Sequence, residues 1–395
     1  MGAALSFDFD TPVDRSHSHS VKYALRGAKF GREDVLPLWV ADMDFAAPDC
    51  VRQALAERSA HPIYGYTVTP HEARVAVAGW QHERHGWRVA PDWVLIGPGL
   101  LPLLSVFIAA LSRPGEAVAV PTPVYNPLFE APARLGRRVI RLPLVQAPEG
   151  LRMDFDTWED ALTADTRLLI LCSPHNPGGR VWRRDELARL GELCLRRDLI
   201  VISDEIHADL VYPGHNHLPI ASLSPELAMR TVTLNSPGKT FNVAGLNTAY
   251  AIVPDVTLRE RLHTAMQAHW FEGANLMGLA AMMAAYREGG PWLAALLDYL
   301  ADNLELALTT LSAQTPHVVC PRPESTYLLW LDCRRLGLTD RELHQRLIDV
   351  GLGLTPGTQF GPEGSGFMRL NYALPRARLG EAMALLEFAL RTAGA

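Results

Sequence analysis

Lysine is scarce in this sequence. Lys22, Lys29 and Lys239 are the only three among 37 basic residues, the rest being arginine. Surface positive charge is carried by arginine, so a lysine deep in the chain calls for a chemical reason. Lys239 lies in Ser236-Pro237-Gly238-Lys239-Thr240, just after the apolar run Thr231–Leu234. A buried amine loses solvation, its pKa falls, and it becomes a competent nucleophile and base. Four other apolar runs end on residues that can do chemistry. Val94–Ile96 leads into Gly97-Pro98-Gly99 and Leu100, either a plain turn or a helix start whose free N–H groups cradle a phosphate. Ala117–Val120 leads to Tyr125, either a core-edge aromatic or a platform for a flat ring. Leu168–Cys172 leads to Asn176, a donor and acceptor inside a loop of turn formers. Leu199–Ser203 leads to Asp204, either a helix N-cap or a buried carboxylate that needs a cationic partner. Together these groups ask for one ligand: an aldehyde for the lysine, a protonated pyridine nitrogen for the aspartate, a ring and a phosphate. That ligand is pyridoxal phosphate, which uses a lysine Schiff base and an acidic partner at the ring nitrogen.

The elements that must position these residues follow from the same runs. Between Val94 and Val253, short continuous apolar stretches alternate with helical segments, among them Leu100–Leu111, Arg184–Arg196 and Leu258–His269. Continuous apolar strands between amphipathic helices predict a largely parallel sheet covered on both faces. In such sheets ligands bind beyond the carboxyl ends of the strands, where the five polar sites sit. A long helix over Pro291–Leu311 opens a tail with strands at Tyr327–Asp332 and Phe367–Leu370 and helices at Asp340–Val350 and Arg376–Arg391. The expected architecture is α/β: a large domain over residues 49–288 with a mostly parallel seven-stranded sheet, and a smaller α+β domain over 289–395. The irregular segment 1–48 is expected to pack with the small domain.

Composition narrows the function classes. With 48% hydrophobic and 20% charged residues over 395 positions, the chain can bury a large core. A net charge of −6 weighs against a general nucleic-acid binder. The longest uncharged apolar stretch, Leu100–Leu111, contains Pro102 and is too short to span a membrane. Five cysteines, an odd number without a CxxC pair, fit reduced thiols rather than disulfides or zinc, so a cytoplasmic location is expected. The first residues lack the basic and apolar regions of a signal peptide. Met1-Gly2 with Ser6 fits a loose myristoylation pattern, but no basic cluster supplies a second anchor.

Eight ordered stretches carry a family resemblance: LPLWVADMDF (Leu36–Phe45), YGYT (Tyr64–Thr67), PTPVYNP (Pro121–Pro127), CSPHNPGGRVW (Cys172–Trp182), SDEIHADL (Ser203–Leu210), SPGKTFNVAGL (Ser236–Leu246), STYLLWLDC (Ser325–Cys333) and FMRLNYALPR (Phe367–Arg376). The chain resembles the fold-type I pyridoxal-phosphate enzymes, the aspartate-aminotransferase superfamily. Within it, the chain is similar to the MalY/PatB group of cystathionine β-lyases and cysteine-S-conjugate C–S lyases. The resemblance implies that Lys239 carries the cofactor and then moves the Cα proton, and that Asp204 pairs with the pyridine nitrogen. It implies Asn176 at the ring hydroxyl, Tyr125 against the ring, and Ser236 with the backbone of Gly99 and Leu100 at the phosphate. Arg369 is implied as the fork for the substrate α-carboxylate, with Ala41 and Asn176 as further substrate contacts. Tyr66 is implied to reach the phosphate of a neighbouring subunit, giving a homodimer with shared sites.

Two positions separate lyase from aminotransferase in this resemblance. His207 stands at the cofactor, three residues after Asp204, where most aminotransferases of the superfamily carry tyrosine. Asn247 stands eight residues after Lys239, where they carry a phosphate-binding arginine. Departures from the lyase pattern are Gly238 for the usual serine, Lys22-Tyr23 for Lys-Trp and Ala373-Leu374-Pro375 for Ala-Cys-Pro. Gly238 removes a hydroxyl and is expected to loosen the lysine loop. The implied reaction is β-elimination from cystathionine or another cysteine S-conjugate to thiol, pyruvate and ammonia. The alternatives are an aminotransferase, or a C–S lyase specialised for a secondary-metabolite thioether. A purely regulatory role on this fold is disfavoured, since Lys239, Asp204 and Arg369 are all present.

Overall fold

The computed structural model describes residues 7–271 and 273–391, so the Met1-Gly2/Ser6 pattern lies outside the described residues. Among the described residues, fourteen strands run in the order β1 Leu36–Pro37, β2 Val94–Gly97, β3 Ala117–Thr122, β4 Arg138–Pro143, β5 Val145–Ala147, β6 Gly150–Arg152, β7 Thr166–Cys172, β8 Ile200–Asp204, β9 Thr231–Asn235, β10 Ala249–Ile252, β11 Leu328–Asp332, β12 Leu352–Gly353, β13 Thr355–Pro356 and β14 Phe367–Asn371. Seven of them form one sheet in the order β2-β10-β9-β8-β7-β3-β4. β10 alone runs antiparallel to its neighbours, so the other six point their carboxyl ends the same way. β11, β14 and β13 form a separate antiparallel sheet.

The sheet reads as continuous apolar runs because both faces are covered. Alternate side chains leave on opposite faces. Val118, Val120, Ile170 and Ile202 join one core with Leu103, Phe107 and Ile108 of the helix Leu100–Leu111. Ala117, Ala119, Leu169, Leu171 and Val201 join the other, with Trp158, Leu187 and Leu190. Each fully buried leucine or valine stabilises by about 1.5–3 kcal/mol. The edge strand β4 alternates instead, exposing Arg138 and Arg141, a charged edge that discourages further strand addition.

A third core joins the N-terminal segment to the tail. Phe9, Leu38 and Met43 share it with Leu293, Leu296, Leu300, Leu329, Leu370 and Leu386. β1 pairs in parallel with β12 through Leu36 and Leu352. The long helix spans Gly290–Gln314. The helix Leu276–Glu288 escapes the sequence reading because LMGLAAMMAAY is apolar all round and shows no 3.6-residue stripe. Among the described residues, no helix is long and apolar enough to cross a membrane.

Candidate active site

The carboxyl ends of β2, β3, β7, β8 and β9 open onto one cavity of about 500 Å³. Gly99, Leu100, Tyr125, Asn176, Asp204, His207, Ser236, Lys239, Ala41 and Arg369 all line it. Tyr66 does not: it lies in the irregular segment between the helices Asp49–Ala60 and His71–His85 and is fully exposed.

Each side chain is set by a local device. Asp204 is the last residue of β8, paired with Cys172 on one side and Leu234 on the other. No helix follows it. Its Oδ1 accepts instead from Ile206 N–H at 3.2 Å, closing a turn. Lys239 sits in the one-turn helix Pro237–Thr240, whose N-cap is Ser236. Ser236 Oγ accepts from Gly238 N–H at 3.0 Å and donates to Thr248 O at 2.7 Å. Gly238 is buried here, and a Cβ on it would stand 3.0 Å from Ser236 Oγ and 3.2 Å from Ala244 Cα. The glycine allows this close approach of the lysine turn to Ser236 and Ala244. Gly99 opens the helix Leu100–Leu111 at φ 131°, a conformation that favours glycine. The first helical N–H to bond there is that of Leu103, to Gly99 O, leaving Leu100 and Leu101 without a main-chain acceptor. Asn176 is held in a loop closed by His175 N–H to Arg180 O and Gly179 N–H to His175 O, each 2.8 Å. Arg180 in turn bonds Glu324 at 2.9 Å.

Two further layers reach in from the tail and the N-terminal segment. Arg369, on β14, donates from Nη1 to Asn176 Oδ1 at 3.1 Å and from Nη2 to Trp39 O at 2.6 Å. Its guanidinium lies 4.9 Å from the Phe360 ring centre, and its Nε is buried without a partner. Lys239 Nζ donates to Ala41 O at 2.6 Å, and Tyr327 OH donates to the same carbonyl at 2.9 Å. Asn242 and Asn371 clamp the Val40–Phe45 backbone from opposite sides. Trp39, Thr355, Gln359 and Phe360 also line the cavity and were not singled out from sequence. Trp39 contributes a backbone carbonyl to Arg369, which no residue type announces. Phe360 sits in Thr358-Gln359-Phe360-Gly361, a turn whose glycines were the one signal available.

Burial governs the electrostatics. It pushes the Asp204 carboxyl up to about 7, against the opposing pull of the Ile206 N–H bond and Lys239. It lowers the Lys239 ammonium to about 8, helped by the Arg369 charge. It lowers even Arg369 to about 10. His207 is held neutral, first by burial and then by the Lys239 and Arg369 charges, and its Nδ1 is buried without a partner. Asp204 has no salt bridge among the described residues and is 3% exposed.

These groups fit pyridoxal phosphate. A buried carboxylate without a cation suits a protonated ring nitrogen, and an amine near neutrality suits an aldehyde. The free N–H groups of Leu100 and Leu101 suit a phosphate, and Ser236 lines the same cavity. The free Arg369 Nε suits a substrate carboxylate. Tyr125 supplies an aromatic ring to the cavity lining.

Comparison with known proteins points the same way. The chain is 42% identical to cystathionine β-lyase PatB of Bacillus subtilis, over 97% of this chain and 100% of that one. It is 35% identical to protein MalY of Escherichia coli, over 98% and 99%. The crystal structure of cystalysin from Treponema denticola, which contains a pyridoxal 5'-phosphate cofactor, superposes with a TM-score of 0.94 at 31% identity, covering 98% of this chain and 100% of that one. The model of the family described as aminotransferase class I and II matches residues 33–386, and the chain belongs to that family of pyridoxal-phosphate enzymes.

Proposed function

We propose that this enzyme cleaves the C–S bond of an S-substituted cysteine, cystathionine being the first candidate, by β-elimination to a thiol, pyruvate and ammonia. The observation that carries the reading is one cavity holding a near-neutral lysine, a buried carboxylate without a cation and a buried arginine with a free Nε. The same chain aligns over 97% of its length with a cystathionine β-lyase.

When bound, pyridoxal phosphate supplies an electrophilic aldehyde and a ring that withdraws the electron pair left at Cα. The protein's residues do the rest. Asp204 holds the proton on the ring nitrogen. Arg369 grips the α-carboxylate through its free edge and so fixes which Cα bond faces Lys239. Lys239 Nζ, lowered to about 8 by burial, takes the Cα proton. Asn176 Oδ1 accepts from Arg369, so an Asn176 amide that also met the ring hydroxyl would couple cofactor position to substrate position. Ser236, Gly99 and Leu100 would hold the phosphate, and Tyr125 would cover the ring. Ala41 O parks Lys239 Nζ between events. His207, kept neutral, adds no competing charge beside Asp204.

The enzyme acts as a homodimer in this reading. Tyr66 is exposed beside Ile63, Tyr64 and Val68, an apolar stretch that a partner subunit would cover. Tyr66 then contributes to the partner's phosphate site. Five free cysteines support a reducing compartment, the cytoplasm.

The test is an assay on cofactor-loaded protein with cystathionine or an S-alkyl cysteine and no keto acid. Pyruvate and free thiol in equal amounts are expected. Amino transfer that requires an added keto acid, without thiol release, would replace this reading with an aminotransferase.

A further inference from the structure

Behind the active site lies a second cavity of about 560 Å³, with no carboxylate among its lining residues. Arg84, His85, Arg183, Arg184, His215 and His217 line it. Carboxylates touch its edge only partly. Arg183 reaches Asp185 at 3.4 Å and Glu186 at 3.9 Å, and His215 reaches Glu324 at 3.8 Å. Arg84 approaches Asp209 at 4.0 Å. Arg184 meets no carboxylate within 4.0 Å among the described residues.

The two buried histidines show that this is a built site rather than a basic patch. His85 and His217 are only 4% and 1% exposed at their side chains, and their rings meet edge to face at 5.1 Å. His85 Nε2 is bonded to Asp209 Oδ1 at 3.0 Å, and His217 Nε2 to Glu205 Oε2 at 2.8 Å. Each ring therefore has Nδ1 left as the atom that can meet a ligand. Guanidinium forks match the oxygens of a tetrahedral oxyanion.

The carboxylates behind these histidines lead to the active site. Asp209 Oδ2 accepts from Thr240 Oγ1 at 2.8 Å, and Thr240 follows Lys239. Asp209 also accepts from Trp80 Nε1 at 3.0 Å, so it is fully engaged. Glu205 follows Asp204 in the chain and accepts from Ser203 Oγ at 2.9 Å.

We propose that this cavity binds a tetrahedral oxyanion of the sulfate or phosphate class, and that its occupancy is felt at Lys239 through the chain His85–Asp209–Thr240. An anion that pulls His85 toward the cavity changes how Asp209 shares its bonds, and Thr240 carries that change to the lysine turn.

The probes are inorganic sulfate and inorganic phosphate, titrated separately into the cofactor-loaded enzyme with ionic strength held constant by chloride. Expected is a saturable rise in melting temperature that chloride does not give, with a saturable shift in the visible absorbance of the bound cofactor. The exposed variant R184Q, which touches no member of the His85–Asp209–Thr240 chain, should weaken the apparent affinity about tenfold while its spectrum without added anion stays as in the parent. Anions that act at Arg369 or at the cofactor phosphate site would act equally on the variant. No saturation, or saturation unchanged in the variant, overturns the site. Saturation without a spectral shift overturns the coupling. None of these readouts depends on which amino acid is the substrate. Sulfate and phosphate differing in affinity would identify which oxyanion the cavity prefers.

Discussion

Asp204→Asn separates what the carboxylate costs the fold from what it does for the cofactor. In the cofactor-free chain Asp204 is buried with no cation in salt-bridge contact, and burial outweighs the pull of Lys239, so its pKa rises from 3.8 to about 7. A carboxyl whose folded pKa lies above its unfolded value weakens the fold as pH rises. The penalty is absent below pH 3.8, grows through the interval, and is complete above about 7. At 1.36 kcal/mol per pH unit it reaches about 4 kcal/mol. Asparagine keeps the acceptor for Ile206 N–H and carries no charge. The cofactor-free variant should therefore melt higher than the parent at pH 8, by about 5 °C for a chain this long, and equal to it near pH 4. Adding pyridoxal phosphate should reverse the order, because only the aspartate gains a protonated ring nitrogen as partner. The assay is thermal melting of both proteins at the two pH values, with and without cofactor. A cofactor-free variant that melts lower at pH 8 would refute the reasoning, since it would mean that Asp204 already has a stabilising partner in the protein.

Three further outcomes follow from the same geometry. Arg369→Gln removes a fork worth two charge-assisted hydrogen bonds, each about 1.5–3 kcal/mol, so kcat/KM for the amino acid should fall about 10²–10⁴-fold; steady-state kinetics checks this, and a fall confined to less than tenfold would place the substrate carboxylate elsewhere. In cofactor-free protein, modification of Lys239 by an amine reagent should rise with pH through a midpoint of about 8 rather than 10.5, measured by peptide mapping at each pH. Tyr66→Ala and Lys239→Ala proteins, each of low activity alone, should regain activity when mixed and reassociated, because a hybrid dimer contains one site with both residues; mixtures as inactive as their parts would refute sharing.

The site was legible in the sequence where chemistry follows directly from a strand. Asp204, Asn176, Ser236 and Lys239 each stand just past a continuous apolar run, and parallel sheets gather such positions at one edge. Arg369 is different. It lies within an apolar strand of a separate sheet, and it reaches the cavity only through the packing of the tail. Its place in the cavity was readable from family resemblance and not from periodicity. Trp39 and Ala41 contribute backbone carbonyls, to which side-chain identity is silent. The contacts His85–Asp209 and Arg180–Glu324 join residues far apart in sequence, so no local pattern contains them.

The charges of the site were the least legible part, and the reason is physical. By residue type alone, Asp204, Lys239 and Arg369 are one anion and two cations. Burial acts against the charged form of each, raising the first to about 7 and lowering the second to about 8. The two cations also lie close enough for Arg369 to depress Lys239 further. A fold built for stability alone would pair the buried carboxylate directly with one of these cations, since leaving it unpaired is costly. This chain instead holds Lys239 on the Ala41 carbonyl and Arg369 on Asn176 and the Trp39 carbonyl. All three groups are thereby kept from satisfying one another. In the proposed function each is left to a different part of the ligand: ring nitrogen, aldehyde and later the Cα proton, and α-carboxylate. On that reading, cofactor and substrate together would supply the partners that the fold withholds, and the groups that are costly to bury unpaired would be the ones that position the reaction.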